Sequence, residues 1–375
     1  MSIKRLARLG GVALVGALAL TACGSDNNSS TGAGAAGATA GASSAAADST
    51  CGTGTLNAEG SSAQKNAIEE AISSFGDTCP DATINYNPTG SGAGIQQFSA
   101  GQVDFAGSDS ALNADKGEVD AAAKRCQNNP AWNLPMVAGP IAVAYNVSGV
   151  DKLVLTPEVT ANIFLGKIKT WNDPAIAKVN SGAKLPSTAI KVFFRSDESG
   201  TTENFAKYLA GAAPSAWKAE PAKKWSGSVG EGREKSAGVS DGVKNTDGGI
   251  TYVEWSYAKD NNLGMAQIDN GGGAVELTGD SAGKALAAAK PAGEGNDLKL
   301  ELDYTTKEAG TYPIVLVTYE VVCSKGLDAG KTALEKSFLR HFVSSEVQQG
   351  LQEVGYAPLP EEVRTKVETA VKAIS

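Results

Sequence analysis

Apolar and polar positions alternate along this chain in a recurring three-part unit. A short β-branched or apolar run is followed by a turn of small, hydroxyl-bearing residues, then by apolar residues at helical spacing. Residues 55–59 predict a strand and Gly60-Ser61-Ser62 a turn; Ala63, Ala67, Ile68, Ala71, Ile72 and Phe75 then keep a period near 3.6 residues, with Gly76 as the stop. Residues 82–86 predict a second strand running into Pro88-Thr89-Gly90-Ser91-Gly92-Ala93-Gly94, with a short helix over 95–98. Residues 103–106 predict a third, ending in Gly107-Ser108-Asp109-Ser110. Further strands are predicted over 141–145, 190–194, 249–254 and 311–319. A helix begins at Thr156-Pro157-Glu158, and the tail over 331–373 is mostly helical. Strand–helix alternation of this kind implies an α/β protein with a parallel sheet and ligand turns at the carboxyl ends of its strands.

One unit organises the rest. The run Ile190-Lys191-Val192-Phe193-Phe194 leads into Arg195-Ser196-Asp197-Glu198-Ser199-Gly200-Thr201-Thr202, and Phe205, Tyr208 and Leu209 then recur at helical spacing. Ser199 stands where an N-cap is wanted, Gly200 lets a ligand approach the backbone, and Thr201 adds a hydroxyl. The first amides of a helix have no partner within it and carry the positive end of its dipole, so this turn suits an oxyanion; Arg195 adds a forked cation. Similar hydroxyl-rich turns at Ser61-Ser62 and Ser91 can point backbone amides into one cleft.

Length and composition narrow the field. At 375 residues two domains are the natural expectation, and a net charge of −8 with no polybasic tract argues against nucleic acid as a partner. A small anion remains compatible, because a few oriented dipoles outweigh diffuse charge at short range. The one histidine, His341, lies in a helical run, which removes most histidine-based catalysis and most zinc sites from consideration; no metal and no cofactor is expected.

The amino terminus reads as an export address. Lys4, Arg5 and Arg8 precede an apolar stretch over 10–20, and Leu20-Thr21-Ala22-Cys23 resembles the lipobox of bacterial lipoproteins. That resemblance implies a signal peptide over 1–22 and lipid on Cys23, ahead of a flexible Ser/Gly/Ala tether over 23–50. The expected location is the outer face of the cytoplasmic membrane. Cys51, Cys79, Cys126 and Cys323 then remain in an oxidising compartment, where three pairings are open. Cys51 and Cys79 each precede a predicted strand. If those strands are parallel neighbours, their starts are adjacent, which favours Cys51–Cys79 with Cys126–Cys323.

Taken together, Gly60-Ser61-Ser62-Ala63, Thr89-Gly90-Ser91-Gly92-Ala93-Gly94, Val103-Asp104-Phe105-Ala106-Gly107-Ser108-Asp109, Thr170-Trp171-Asn172-Asp173-Pro174, Arg195-Ser196-Asp197-Glu198-Ser199-Gly200-Thr201 and Tyr252-Val253-Glu254 resemble, in this order, the phosphate-binding proteins that serve phosphate ABC importers. The lipobox and tether are similar to those of actinobacterial members. The resemblance implies a two-lobed periplasmic-binding-protein fold of the second type with its ligand cleft between the lobes. One lobe would span 52–139 and 315–375, the other 140–314, with crossings near 139–141 and 313–316. It implies phosphate contacts from Ser61, Ser62, the amide of Ala63, Ser91 and Asp109 on one side, and from Arg195, Ser199, Gly200 and Thr201 on the other, with Asp197 orienting Arg195. It further implies permease subunits and an ATPase as partners; nothing in the sequence predicts a stable oligomer, so a monomer is expected.

The residue chemistry is consistent with that expectation. Phosphate keeps a hydrogen at neutral pH and sulfate does not, so an acceptor-only carboxylate, assigned to Asp109, welcomes one and repels the other. Glu198 adds negative charge near the turn unless it points to solvent. A phosphatase or serine hydrolase is disfavoured: Gly90-Ser91-Gly92 misses the G-x-S-x-G frame, and no Walker lysine follows it. A receptor for another oxyanion such as molybdate would not want Asp109, and an adhesin would leave the anion turns idle.

Overall fold

The computed structural model describes residues 51–375; the predicted signal peptide, Cys23 and the tether through residue 50 lie outside the described residues. The opening units become β1 (Gly54–Gly60), α1 (Lys65–Thr78), β2 (Ala82–Asn87), α2 (Ser91–Ser99), β3 (Phe105–Ser108) and α3 (Glu118–Arg125). The chain continues through β4 (Ala131–Asn146), α4 (Pro157–Phe164), β5 (Lys191–Arg195), α5 (Gly200–Ala212) and β6 (Glu231–Arg233). Then come α6 (Lys235–Lys244), β7 (Gly249–Glu254), α7 (Trp255–Asp260) and α8 (Gly279–Ala287). Finally β8 (Val315–Cys323), α9 (Ala329–Phe342) and α10 (Glu361–Ala373) close the chain.

The main sheet runs β2-β1-β3-β8-β4-β7-β5-β6. Its two wings are parallel, as the strand–helix alternation predicts: β1 with β2 and β3, and β5 with β6 and β7. The centre departs from that expectation, because β8 and β4 run antiparallel to their neighbours. The reason is that β4 is one 16-residue strand serving both wings. Its first part pairs with β8 up to Pro140, and from Ile141 onward it pairs with β7. A second link lies alongside, where the Ile141 amide donates to the Ile314 carbonyl at 2.8 Å. Each wing has its own apolar core. Leu56, Phe75, Phe105 and Phe338 pack in the first, which also takes Ala282 and Leu286 of α8; Tyr145, Trp171, Phe205 and Tyr252 pack in the second.

Four local boundaries differ from the sequence reading. Helix α1 passes through Gly76 to Thr78, because an isolated glycine only weakens a helix and Cys79 caps it by donating its amide to Phe75. Helix α2 starts at Ser91 rather than Ile95, behind Gly90 at φ 104°, a left-handed conformation that glycine adopts without strain. The β3 and β8 strands both lie a few residues later than predicted. The disulfides are Cys51–Cys79, with Cα atoms 5.5 Å apart at the starts of parallel neighbours β1 and β2, and Cys126–Cys323, at 5.3 Å.

The first core also holds two buried acids, Glu320 on β8 and Glu335 on α9, whose carboxylate oxygens have no hydrogen-bond partner. Burial pushes each from an ordinary 4.5 up to about 8. A raised acid stabilises the fold most below its ordinary value, and that contribution is lost as pH rises towards about 8. Thermal stability should therefore fall between about pH 5 and about pH 9, by on the order of 5 kcal/mol per acid. Glu320→Gln, which keeps the shape of the neutral acid, should flatten that slope. Melting curves across the range decide it: an unaltered slope in Glu320→Gln and Glu335→Gln would show that these acids do not titrate as burial dictates.

Candidate functional site

The carboxyl ends of β1, β3 and β5 and the first turns of α2 and α5 converge between the two wings. Asp109 follows β3 and is fully enclosed. Its Oδ1 accepts from Ser61 Oγ at 2.5 Å and Thr318 Oγ1 at 2.8 Å, and its Oδ2 accepts from Ser91 Oγ at 3.0 Å. An ionised carboxylate has about four lone-pair positions, so one acceptor position of Oδ2 remains for a further hydrogen. Asn204 of α5 donates to the Asp109 backbone carbonyl at 2.7 Å, tying the loop to the opposite wing.

Across from Asp109 stands the start of α5. Ser199 caps it, its Oγ accepting from the Thr202 amide at 3.2 Å, and the Gly200 amide donates to Ser91 Oγ at 3.3 Å. A Cβ on Gly200 would lie 2.5 Å from the Asp109 Cβ and 2.8 Å from both Asp109 Oδ2 and Ser91 Oγ, so only glycine allows this approach. The Gly92 amide donates to the Glu198 carbonyl at 3.1 Å, a second contact between the wings. The Glu198 carboxylate is partly exposed: its Oε1 lies 3.3 Å from exposed Lys224, while its Oε2 lies against Gly92 at the start of α2.

Arg195 ends β5 and is buried, its guanidinium forked on Asp197: Nε donates to Oδ1 at 2.7 Å and Nη2 to Oδ2. Asp197 also accepts from the Lys235 amide at 2.9 Å. Burial alone would lower the Arg195 pKa, but the hydrogen bond and charge of Asp197 outweigh it and the cation is held. Asp197 is pushed up by burial and pulled down further by Arg195, ending below its ordinary value. The remaining guanidinium face points inward: Nη1 donates to Ser236 Oγ at 3.2 Å, and Ser236 Oγ lies 2.9 Å from Ser62 Oγ. Thr201 Oγ1 donates to Glu254 Oε1 at 2.5 Å. Burial pushes Asp109 up to about 6; the Ser61 hydrogen bond opposes the rise, the charge of Glu254 adds to it, and Thr318 and Ser91 oppose it.

Ser61, Ser91, Asp109 and Gly200 thus form one cluster, and Ser62, Arg195 and Asp197 a second, joined through Ser236. Thr201 links to Glu254, whose charge acts on both Asp109 and Arg195. Ala63 contributes its amide, donated to Ser61 Oγ at 3.0 Å, and Ser199 works as a cap. Ser236, Thr318, Asn204 and Glu254 are members that the sequence reading did not assign to the site. Only Glu254 carried a signal, as the end of the Tyr252-Val253-Glu254 motif. The Thr170–Pro174 motif is structural: Trp171 is buried and Asp173 caps a helix by accepting from Ala175. His341 lies on α9, where its Nε2 is 2.8 Å from Ser74 Oγ. Among the described residues no cluster of three His, Cys, Asp or Glu side chains could hold a metal ion.

Two α/β wings with hydroxyl-rich helix starts meeting between them match the architecture of the substrate-binding fold. A family model for the PBP superfamily domain matches residues 45–346, and the chain belongs to that superfamily. Within it, the chain is a member of the phosphate-binding protein family. Phosphate-binding protein PstS3 of Mycobacterium bovis (strain BCG / Pasteur 1173P2) is 47% identical over 380 residues, covering 100% of both chains. Phosphate-binding protein PstS of Pasteurella multocida is 34% identical over 298 residues, 77% of this chain and 82% of that one. The solved phosphate-binding protein from Stenotrophomonas maltophilia superposes with a TM-score of 0.68 at 19% identity, over 84% of this chain and 94% of that one. The phosphate-bound substrate-binding protein from Clostridium perfringens gives 0.60 at 19% identity, over 82% and 100%. These two likenesses establish the two-lobed fold.

Proposed function

We propose that this protein is an extracytoplasmic receptor that closes on inorganic phosphate and delivers it to the membrane subunits and ATPase of a phosphate ABC importer. The observation that carries this reading is the pairing across the cleft of an acceptor, Asp109, with the amide end of α5 and a buried Arg195. Asp109 has taken three hydroxyl hydrogens and keeps room for one more, which a phosphate P–OH supplies and sulfate lacks. Ser61, Ser62, Ala63, Ser91 and Asp109 hold the ligand from one lobe (52–139 and 315–375). Arg195, Ser199, Gly200 and Thr201 hold it from the other (140–314), with Asp197 fixing the guanidinium. Closure turns about the crossings at 139–141 and 313–316 and buries the anion.

The protein binds rather than reacts. Ser91 Oγ has Asp109 and two backbone amides around it, and His341 on α9 is hydrogen-bonded to Ser74 of α1. A molybdate-type ligand would bring no hydrogen for Asp109. The receptor acts as a monomer, held at the outer face of the cytoplasmic membrane by lipid on Cys23. A native mass spectrum of freshly purified protein tests the ligand: one bound phosphate is expected, lost in acid and regained on adding phosphate. A protein that neither carries nor takes up phosphate would remove the proposal.

A further inference from the structure

The segment between α5 and β6 carries Lys223, a lysine only 5% exposed, from the second wing towards the first. Its Nζ lies 2.8 Å from Oε1 of Glu118, the first residue of α3. Among the described residues this is the one ion pair that joins the two wings. Both of its ends are anchored. The Lys223 carbonyl accepts from the Ser199 amide at 2.9 Å, at the cap of the helix that faces Asp109. Two residues on, Trp225 stacks on Phe194 with ring centroids 5.9 Å apart and lies 5.3 Å from Trp217. On the other side, Glu118 Oε2 accepts from the Asn113 amide at 2.8 Å. Helix α3 packs through Ala122 in one cluster with Ile95 and Phe98 of α2, and the Cys126–Cys323 disulfide ties its end to β8. The two charged groups are directed at each other and at Asn113, not at the residues assigned to the anion.

Resting on the phosphate reading, we propose that Lys223 and Glu118 are positioning residues that latch the wings together over the bound anion and so set how long it is held. A contact made in one of two states shifts their balance by its own differential energy. With the wings apart, the ammonium and the carboxylate both return to water. With the wings together they are largely enclosed and compensate each other. Glu203 of α5 is already held by Lys207 at 2.9 Å, so it does not take the place of Glu118. Removing either partner leaves an enclosed charge unpaired in the closed form and costs the open form nothing. Release therefore quickens while encounter is unaffected. The Glu118 side chain is 17% exposed, which puts the effect between that of a surface pair and that of a fully enclosed one. Because the latch meets no ligand hydrogen, the choice between phosphate and sulfate does not depend on it.

The test measures release of radiolabelled phosphate from the intact mature protein during a chase with unlabelled phosphate, with affinity taken from calorimetry. Together the two give the association rate. Glu118→Gln and Lys223→Gln should each speed release about tenfold and leave association within about twofold. The double variant should release no faster than either single one, because the two residues act as a unit. The ratio of phosphate to sulfate affinity should stay at the wild-type value in all three. A role in steering the anion would instead move association in opposite directions, since the two substitutions remove opposite charges. Melting curves separate the latch from a merely structural contact: the variants should melt like wild type without phosphate and gain less than wild type with it. Should Glu118→Gln fail to fold, Glu118→Asp keeps the charge, shortens the reach by one methylene and should quicken release to a smaller extent. Unaltered release in both single variants, losses that multiply in the double one, or an equal fall in melting with and without phosphate overturns the inference and leaves the phosphate reading intact. Wild-type protein that binds no phosphate removes both.

Discussion

Replacing Arg195 with Gln should weaken phosphate binding by about 10²- to 10³-fold while the protein still folds. Removing one member of a buried, hydrogen-bonded charge pair costs about 2–5 kcal/mol of binding. Arg195 is a buried cation, and Asp197 fixes its orientation with a two-point fork. Arg195→Lys should recover part of the loss, since a point charge replaces the cation but cannot hold Asp197 and Ser236 together. Asp197 is partly exposed and also accepts from the Lys235 amide, so the variant leaves it hydrated. Calorimetric titration with phosphate, alongside circular dichroism for the fold, measures both effects. Binding within threefold of wild type in Arg195→Gln would remove Arg195 from the anion site.

Asp109→Asn should act on selectivity. The acid accepts from Ser61, Ser91 and Thr318, so an amide must turn one donor against another donor. The position that receives the ligand's hydrogen becomes unable to do so. A site built around such a hydrogen bond rejects the analogue lacking it by a factor on the order of 10⁴. In Asp109→Asn the gap between phosphate and sulfate should shrink by about two orders of magnitude or more, chiefly through lost phosphate affinity. Paired titrations with both anions show whether it does; an unaltered ratio would mean that Asp109 supports the loop without reading the ligand.

The hydroxyl-rich turns of this site could be read from local chemistry, whereas the roles of Ala63, Asp109 and Asp197 came from the family resemblance. The run 190–205 declared its strand, capped turn and helix through short-range preferences alone, and Ser199 caps α5 through the Thr202 amide as its type and place imply. The Cys51–Cys79 pairing followed from two strand starts lying side by side. What stayed hidden depends on contacts distant in the chain. Ser236 reaches Ser62 from 174 residues away, and Thr318 reaches Asp109 from 209. Both are ordinary small polar residues with no local mark. The extent of β4 was hidden by Pro135 and Pro140, residues that normally argue against an interior strand. The fold accommodates Pro135 at a register shift, where Thr318 pairs with Val137 and Tyr319 with Pro135. That long strand explains the antiparallel centre of the sheet, which strand–helix alternation could not reveal.

The account rests on one small anion being recognised by its hydrogen as much as by its charge. Titrating the wild-type protein, freed of carried ligand, with phosphate and with sulfate in the same buffer at neutral pH tests this most directly. One phosphate should bind per chain, with sulfate weaker by a factor on the order of 10⁴. Equal affinity for the two anions, or no heat with either, would contradict it.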